Sequence, residues 1–342
     1  ADLEPIDPFI STDGRVLLGE PVDAELDVGL AMSSGQSIEA HVLGGKHAWD
    51  ATAVRTGKTA LVETVRRRGV CNRVGFLLCQ LLSPISQTEC PTIRCTGLSY
   101  KDHAVSDRSV QSLTQDELGL PHPKAPVLFF KPNTALNDPH ATVRVPKTAQ
   151  NDDLDYEVEL AVVIGRDCRD VSEEDALDYV LGYTCANDLR RGNTKGSPLS
   201  GGIARVGAVN TFLEGDLSAG FDGFCPLGPV LVSHRSLPDP HVVELQTRVN
   251  DHLLQNGAAE KMIFSIPQWV VFTIKQRSDS SVISYLSQGS TLPAGSVIIT
   301  GTPPGIGVSQ TPPLWLKDGD EVRCWVSHGV GTLVSTIEYD CK

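Results

Sequence analysis

The sequence contains no apolar run long enough to cross a lipid bilayer. A membrane-spanning helix needs about 20 consecutive apolar residues, whereas the most apolar short segments, such as WVVFTI at 269–274, have the length of core elements. The first residues, ADLEPIDPF, also lack the basic-then-apolar order of a signal peptide. These absences predict a soluble, cytoplasmic protein that does not bind a membrane.

Cysteine pairing motifs and an excess of basic residues are absent as well. The nine cysteines are an odd number and include no CxxC pair, which argues against a disulfide framework and against a structural zinc site. We expect most of them to be small buried apolar residues. A formal net charge of −13 argues against nucleic acid as a partner, because phosphate binding requires a basic surface.

The chain is long enough for one large domain and a smaller part. Its 342 residues are 40% hydrophobic, which is sufficient for a sizeable core. Residues 1–90 predict a small N-terminal α/β domain with a helix at 59–68. Residues 91–342 predict a β-rich α+β domain with a mixed sheet, because short β-like runs alternate there with Gly, Pro and Asp.

Six runs in the larger part predict strands, and two segments predict helices. The runs are VLFF (127–130), ELAVVIG (159–165), GYTCAN (182–187), PVLVS (229–233), SVIIT (296–300) and EVRCWV (321–326). One helix is expected to begin at Ser172, where acidic residues crowd the first turn, and the other at Ser265, which has capping-box spacing to Gln268.

Two carboxylates stand side by side in the strand DYEVELAVVIG at 155–165. With a period of two, Glu157 and Glu159 share one face with Ala161 and Val163, so we expect this face to turn inward. If it does, the two buried charges repel each other unless an arginine, a lysine or a divalent metal compensates them. An exposed strand face is the alternative. Oxygen ligands favour Mg²⁺, Mn²⁺ or Ca²⁺ over zinc.

Three further residues could belong to such a site. Asp188 follows an apolar run that could be a neighbouring strand, and it could supply a third oxygen ligand. A lone histidine is usually structural or exposed, but His103 beside a metal site could act as a general base. The turn in ITGTPPGIG at 299–307 could present backbone N–H groups and the Thr302 hydroxyl at a fixed place, or could be an ordinary turn.

Segments in a shared order resemble the fumarylacetoacetate hydrolase family. They are CTGLSYKDHA, PVLFFKPNTAL, YEVELAVVIG, GYTCANDL, FCPLGP, MIFSIP and TGTPPGIG, and they cover the chain from 91 to 340. Each is weak alone, but their common order is specific. The resemblance implies a mixed β-sandwich roll, usually a homodimer, that binds Mg²⁺, or else Mn²⁺ or Ca²⁺, through Glu157, Glu159 and Asp188.

The resemblance also implies an activity. Members of this family act on small 2-oxo acids and β-dicarbonyl compounds through a metal-bound enolate. Hydrolytic cleavage of a C–C bond, as in acylpyruvate and fumarylacetoacetate hydrolases, is the leading expectation. Decarboxylation or enol–keto tautomerisation at the same metal site is one alternative, and a non-catalytic metal-binding relative is another.

Individual roles follow from the same resemblance. His103 would take a proton from the attacking water, and Lys131 would hold a substrate oxygen. The residues implied to bind substrate are Tyr100, Arg191, Gly301 and Thr302.

The chain departs from the family pattern at three positions near the chemistry. A glutamate, an arginine and a lysine of the family are replaced by Ser106, Gly192 and Ala219. The nearby charged residues that could substitute for them are Asp107, Arg191 and Lys195, of which Asp107 would assist His103. Alternatively, the site performs a different reaction on a different substrate.

Overall fold

A computed structural model of the chain describes residues 7–11, 15–45, 54–62, 80–97, 99–100, 127–172, 174–191, 219–264, 266 and 286–341. The strands are β1 (Asp7–Ile10), β2 (Val16–Pro21), β3 (Ile38–Gly44), β4 (Val54–Val62), β5 (Gln80–Leu81), β6 (Ile93–Gly97), β7 (Val127–Lys131), β8 (Leu136–Asn137), β9 (Thr142–Val145), β10 (Leu154–Asp155), β11 (Val158–Ile164), β12 (Val180–Asn187), β13 (Arg190–Arg191), β14 (Cys225–Ser233), β15 (Glu244–Val249), β16 (His252–Ala258), β17 (Val297–Ile299), β18 (Glu321–Val326) and β19 (Gly331–Tyr339). An α-helix, α1, spans Val28–Ser33. Short 3-10 helices span Asn133–Ala135, Lys147–Ala149, Ala176–Tyr179, Pro240–Val242, Ala259–Lys261 and Gly307–Ser309.

The first part of the chain forms a five-stranded antiparallel sheet in the order β4-β3-β2-β1-β5. Helix α1 joins this sheet to the rest of the protein, because it packs against β14 and β19. Asp27 caps α1 and reaches across this contact. Its carboxylate accepts hydrogen bonds from the Leu30 amide at 2.9 Å, the Thr332 amide at 3.0 Å and the Thr332 hydroxyl at 2.6 Å. The division into domains at residues 1–90 and 91–342 stays a prediction.

Two sheets form the sandwich that carries the site. The seven-stranded sheet has the order β7-β6-β17-β11-β12-β14-β8, and the five-stranded sheet facing it has the order β16-β15-β18-β19-β9. The first sheet is mixed, because β17 runs parallel to β6 and antiparallel to β11. The predicted β-rich, mixed-sheet sandwich is confirmed.

Strand β11 lies inside the seven-stranded sheet and is buried on both faces. Its residues Val158, Leu160, Val162 and Ile164 pack in the core between the two sheets. Ala161 and Val163 face a second, smaller core with Ile93, Cys95, Cys225, Leu227 and Ile299. The alternation predicted for this segment is therefore confirmed, and the face that carries Glu159 does turn inward.

The remaining sequence predictions have mixed outcomes. All six predicted β-runs lie on strands. The helix at 59–68 is wrong for 59–62, which belong to β4 because they pair with β3, while 63–68 lie outside the described residues. The helix from Ser172 is wrong apart from Ala176–Tyr179, since β12 begins at Val180.

Three other expectations concern the second predicted helix, the cysteine thiols and membrane-spanning segments. The residues after Ser265 that would form the second predicted helix lie outside the described part, apart from Ile266. Six of the seven cysteines within it are buried free thiols, as expected, and Cys341 is exposed. No helix in the described ranges is both long and apolar enough to span a membrane.

The contact between α1 and β19 generates a stability prediction. Asp27→Ala removes the helix cap and leaves the Thr332 amide and hydroxyl without their acceptor, so the free energy of unfolding should fall by about 2 kcal/mol. Urea denaturation measures the loss. Glu25→Ala, which removes an exposed carboxylate two residues away, is the control and should change stability little. Equal stabilities of the two variants would contradict this role of Asp27.

Candidate metal site

The pairing of β11 with β12 brings three carboxylates together. Val158 lies opposite Asn187, so Glu157 and Asp188 are neighbours, and the Asp188 amide donates to the Glu157 carbonyl at 2.9 Å. Glu159 lies one pair further along, opposite Ala186. One carboxylate oxygen of each acidic residue lies within 4.8 Å of the others, and all three residues are buried.

A glycine from a third chain segment fixes Glu159. Strand β17 runs antiparallel to β11, and Gly301, two residues beyond its end, donates its amide to Glu159 Oε2 at 2.6 Å. The backbone of Gly301 has φ +91°, which favours glycine. A Cβ atom at this position would also overlap the Ser99 side chain. Both the conformation and the close packing therefore require glycine here.

The positive charge of Lys131, at the end of β7, compensates the negative charge of Asp188. Its Nζ lies 2.6 Å from Asp188 Oδ1, and neither side chain has solvent exposure. The same ammonium donates to the carbonyls of Leu189 at 2.9 Å, Ala219 at 2.6 Å and Phe224 at 3.0 Å. The N–H donors of the Lys131 ammonium are therefore all directed at acceptors inside the protein. Asp188 Oδ2 is buried and has no hydrogen-bond partner within the described part of the chain.

The two consecutive arginines after the third carboxylate point to different partners. Arg190 Nη1 lies 3.6 Å from Glu157 Oε1, and its side chain keeps 21% exposure. Arg191 is instead held by Asp153, with Nη2 2.8 Å and Nε 3.0 Å from Oδ2, and by the Thr148 carbonyl at 3.0 Å. Arg190 is therefore the arginine that contacts the carboxylate group.

The turn that contains Gly301 is attached to the strand segment 155–159 at its far end as well. Asp155 Oδ1 accepts from the Gly307 amide at 2.6 Å, and Oδ2 accepts from the Val308 amide at 2.9 Å. The Tyr156 hydroxyl donates to the Gly305 carbonyl at 3.1 Å. Asp155 and Glu159, at the two ends of the segment 155–159, thus bind the two ends of the turn at 301–308.

Gln255, on β16, holds the middle of the same turn. Its amide nitrogen donates to Thr302 Oγ1 at 2.7 Å and to the Pro303 carbonyl at 2.8 Å. Its amide oxygen accepts from the Val158 amide at 3.1 Å and from the Thr247 hydroxyl at 2.8 Å. Because Gln255 is fully buried and fully hydrogen-bonded, it fixes the turn against β11 and the facing sheet.

The electrostatics of the group reflect its burial. Burial raises the pKa of Glu157 to about 8, against the opposing effect of Arg190. Burial raises the pKa of Glu159 well above its usual value, and the charges of Asp188 and Glu157 raise it further. Burial would lower the pKa of Lys131, but the negative charge and hydrogen bond of Asp188 together with the thiols of Cys225 and Cys95 exceed that effect, and the pKa is raised. Glu157 and Glu159 therefore hold their protons more tightly than free glutamates do, unless further positive charge is bound beside them.

These residues fit a divalent metal ion. Three acidic side chains offer oxygen atoms at one place, and the carboxylate of Asp188 is buried with no hydrogen-bond partner for Oδ2 among the described residues. Hard oxygen donors of this kind suit Mg²⁺, Mn²⁺ or Ca²⁺. A dication would compensate the charge that Lys131 and Arg190 leave uncompensated. The structure thus brings together the three predicted ligands in a group that could hold such an ion.

The other predicted site residues have different surroundings. The Thr302 hydroxyl donates to the Val158 carbonyl at 2.9 Å and accepts from Gln255, so it is largely occupied. Tyr100 is buried, and burial followed by the charge of Glu159 raises its pKa. Its hydroxyl has no hydrogen-bond partner among the described residues. The contacts of Gly301, Lys131, Thr302 and Arg191 are made within the protein, and their substrate roles stay predictions.

Several predicted positions lie outside the described residues. They are His103, Ser106, Asp107, Gly192 and Lys195. Ala219, the third departure from the family pattern, is buried and gives its carbonyl to Lys131.

Sequence reasoning missed three residues that hold the site. Asp155 could have been found, because it lies two residues before Glu157 and so continues the same alternation. Arg190 could have been favoured over Arg191 only by knowing that it pairs with Asp155 across β10 and β13. Gln255 carried no signal, since a single glutamine in a strand is normally exposed.

Comparison with protein families gives a match over most of the chain. The model described as fumarylacetoacetate (FAA) hydrolase C-terminal matches residues 92–338. A caffeoylpyruvate hydrolase of Neonothopanus nambi is 36% identical over 328 residues, covering 94% of this chain and 89% of the relative. A mitochondrial oxaloacetate tautomerase of Xenopus laevis is 36% identical over 273 residues, covering 80% of this chain and 71% of the relative.

Solved structures agree with the fold over the full length. A 2-hydroxyhepta-2,4-diene-1,7-dioate isomerase from Mycobacterium marinum has a TM-score of 0.67 and 27% identity, covering 99% of this chain and 100% of the other. A fumarylacetoacetate hydrolase from Exiguobacterium antarcticum has a TM-score of 0.70 with 24% identity, covering 98% of this chain and 99% of the other, and supports the fold alone.

The raised carboxyl pKa values predict how stability depends on pH in the metal-free protein. Folded Glu157 keeps its proton up to a pH of about 8, whereas the unfolded chain releases it near 4.5. The folded state therefore binds more protons between these values, and the free energy of unfolding should fall by about 5 kcal/mol as the pH rises through this window. Urea denaturation in the presence of a chelator measures this slope.

The matched variant for this prediction is Glu157→Gln, which cannot ionise. Its unfolding free energy should depend less steeply on pH than that of the unmodified protein. Equal slopes would show that Glu157 ionises normally in the folded state.

Proposed function

The chain belongs to the fumarylacetoacetate (FAA) hydrolase family, and from this premise we propose that it is a Mg²⁺-dependent enzyme that hydrolyses a C–C bond in an acylpyruvate-type β-dicarbonyl substrate. The observation that carries the proposal is the buried group of Glu157, Glu159 and Asp188, with one oxygen of Asp188 left unpartnered. A relative named caffeoylpyruvate hydrolase, similar over nearly the whole chain, supports this reaction class.

The charges around the group support an anionic substrate. Lys131 and Arg190 leave one of the three acidic charges uncompensated, so a bound dication would give the site a net positive charge. An oxo acid carries a carboxylate that such a site attracts. When bound, the ion would supply Lewis acidity that polarises the substrate carbonyls and stabilises negative charge developing as the C–C bond breaks.

The surrounding residues would then have distinct tasks. Gly301 and Lys131 hold Glu159 and Asp188 in place, each through an oxygen atom that faces the protein. Arg190 is partly exposed beside Glu157, so we assign to it, rather than to Arg191, the contact with the substrate carboxylate. Arg191 is already bound to Asp153. Its bonds support the backbone on which Arg190 lies.

Hydrolysis also requires a base that removes a proton from water. His103 is proposed for this task and Asp107 for orienting its imidazole, since both come from the segment that resembles the family's histidine motif. The Nε2 or Nδ1 atom of a neutral imidazole can accept a water proton at neutral pH. The homodimer and the cytoplasmic location remain predictions from the family resemblance and the composition.

Enol–keto tautomerisation is the main alternative to hydrolysis. Relatives named oxaloacetate tautomerase match this chain at 36% identity in Xenopus laevis and 33% in Homo sapiens. Enol–keto tautomerisation would use the same three carboxylates but would need no activated water. Decarboxylation of an oxo acid at the same site is a further alternative, and a non-catalytic metal-binding protein is the remaining one.

Product analysis separates these reactions. With Mg²⁺ present, the purified protein should cleave an acylpyruvate to pyruvate and a carboxylic acid. Glu159→Gln should lower kcat/KM by about 10³-fold or more, because one ligand oxygen is replaced by a neutral amide. Glu244→Gln, an exposed change on β15, is the control and should retain activity.

Other outcomes of this assay assign the alternatives. Faster enol–keto interconversion of oxaloacetate without cleavage of acylpyruvates would establish a tautomerase, and release of CO₂ a decarboxylase. No turnover of any of these compounds, together with a melting temperature unaffected by Mg²⁺ or chelator, would contradict a metal-dependent enzyme.

The proposed base makes a separate prediction. His103→Ala should lower kcat about 10²–10⁴-fold for a hydrolytic reaction, because the attacking water loses its proton acceptor. Mg²⁺ affinity measured by calorimetry should stay nearly unchanged, since histidine is not a proposed ligand. Unchanged kcat would remove His103 from the mechanism, while a large loss of Mg²⁺ affinity would assign it to the metal site instead.

A further inference from the structure

We propose that Lys131 is a positioning residue that restricts Asp188 to coordination through one oxygen atom, and thereby makes the site prefer Mg²⁺ and Mn²⁺ over Ca²⁺. The inference rests on the proposed metal-dependent function and concerns how the protein selects its ion. It also gives Lys131 a different task from the substrate contact that the family resemblance implies.

The two oxygen atoms of Asp188 have unequal surroundings. Oδ1 forms the ion pair with the Lys131 ammonium, at 2.6 Å. Neither carboxylate oxygen has a further hydrogen-bond partner among the described residues, so Oδ2 lacks the cation that Oδ1 has. An ion that shares the site with a lysine cation will be repelled from the oxygen nearest to that cation. Oδ2 is therefore the atom available to a metal.

Lys131 cannot readily move away to release Oδ1. Its ammonium also donates to three backbone carbonyls, those of Leu189, Ala219 and Phe224, at 2.6–3.0 Å. The side chains of Lys131 and Asp188 are both without solvent exposure, so water cannot replace the broken contacts. Displacing a buried ammonium from these oxygens would leave polar groups unsatisfied, which is costly.

The other two acidic residues are restricted in a similar way. Glu159 Oε2 accepts the Gly301 amide at 2.6 Å, and Glu157 Oε1 lies 3.6 Å from Arg190. Each carboxylate therefore has one oxygen engaged with the protein and one oxygen left for an ion. Three such oxygens would supply half of the six ligands that Mg²⁺ takes, and the others would come from water or substrate.

This donor set distinguishes between the candidate ions. Mg²⁺ requires six ligands in near-ideal octahedral geometry and commonly keeps several waters, whereas Ca²⁺ takes six to eight oxygen ligands and often binds carboxylates through both oxygens. Three single-oxygen carboxylates suit the first arrangement. Ca²⁺ would lose the two-oxygen contacts that normally favour it.

Calorimetric titration with Mg²⁺, Mn²⁺ and Ca²⁺ tests the inference. The unmodified protein should bind Mn²⁺ and Mg²⁺ more tightly than Ca²⁺. In Lys131→Met, both oxygens of Asp188 become available, so the affinity for Ca²⁺ relative to Mg²⁺ should rise about 10-fold or more. Lys147→Met, which removes an exposed lysine with the same change in net charge, should leave the ratio unchanged.

A structural measurement on the unmodified protein covers the case in which Lys131→Met fails to fold. Crystals grown with Mn²⁺, and separately with Ca²⁺, should show Asp188 bound to the ion through Oδ2 only, with Oδ1 still on Lys131. Two-oxygen binding by Asp188, or an unchanged ion ratio in a folded Lys131→Met variant, would overturn the inference while leaving metal dependence intact. Failure of the unmodified protein to bind Mg²⁺ or Mn²⁺ would refute the proposed function as well.

Discussion

Electrostatic repulsion among three buried carboxylates is the constraint on which the surrounding structure depends. Glu157, Glu159 and Asp188 lie together out of solvent, where like charges repel strongly and hydration is lost. The groups that offset this repulsion are the Lys131 ammonium, the Arg190 guanidinium and the Gly301 backbone amide. These groups compensate only part of the negative charge, and a dication can compensate the rest. The fold therefore holds the three carboxylates in positions that are fully compensated only when a cation is bound.

The compensating groups come from distant parts of the chain, and sheet order brings them together. Lys131 ends β7 and Gly301 follows β17, whereas the carboxylates lie on or directly beside β11 and β12. Core packing on both faces of β11 fixes its register, because a shift by one residue would turn Glu159 into the apolar core between the two sheets. The hydrophobic pattern therefore determines which carboxylates face each other.

Much of this arrangement could be predicted from local patterns, and the rest could not. The alternation in 155–165 indicated which face carries Glu159, and the apolar run before Asp188 indicated a neighbouring strand. Contacts between distant segments left no local signal, so Gln255 was missed and Arg190 could not be separated from Arg191. The helix expected at 59–68 was wrong in its first residues because pairing with β3 overrides local helix preference.

The attachment of the 301–308 turn to residues 155–159 has a consequence for how the protein acquires its site. Partners that are 142 and 152 residues apart in sequence must meet before the carboxylates reach their final positions, and such non-local contacts form slowly. A nascent chain that has not yet been synthesised beyond residue 300 would lack the amides that hold Glu159 and Asp155. Tight ion binding would thus be a property of the completed fold, and it would mark the point at which β17 has paired with β11.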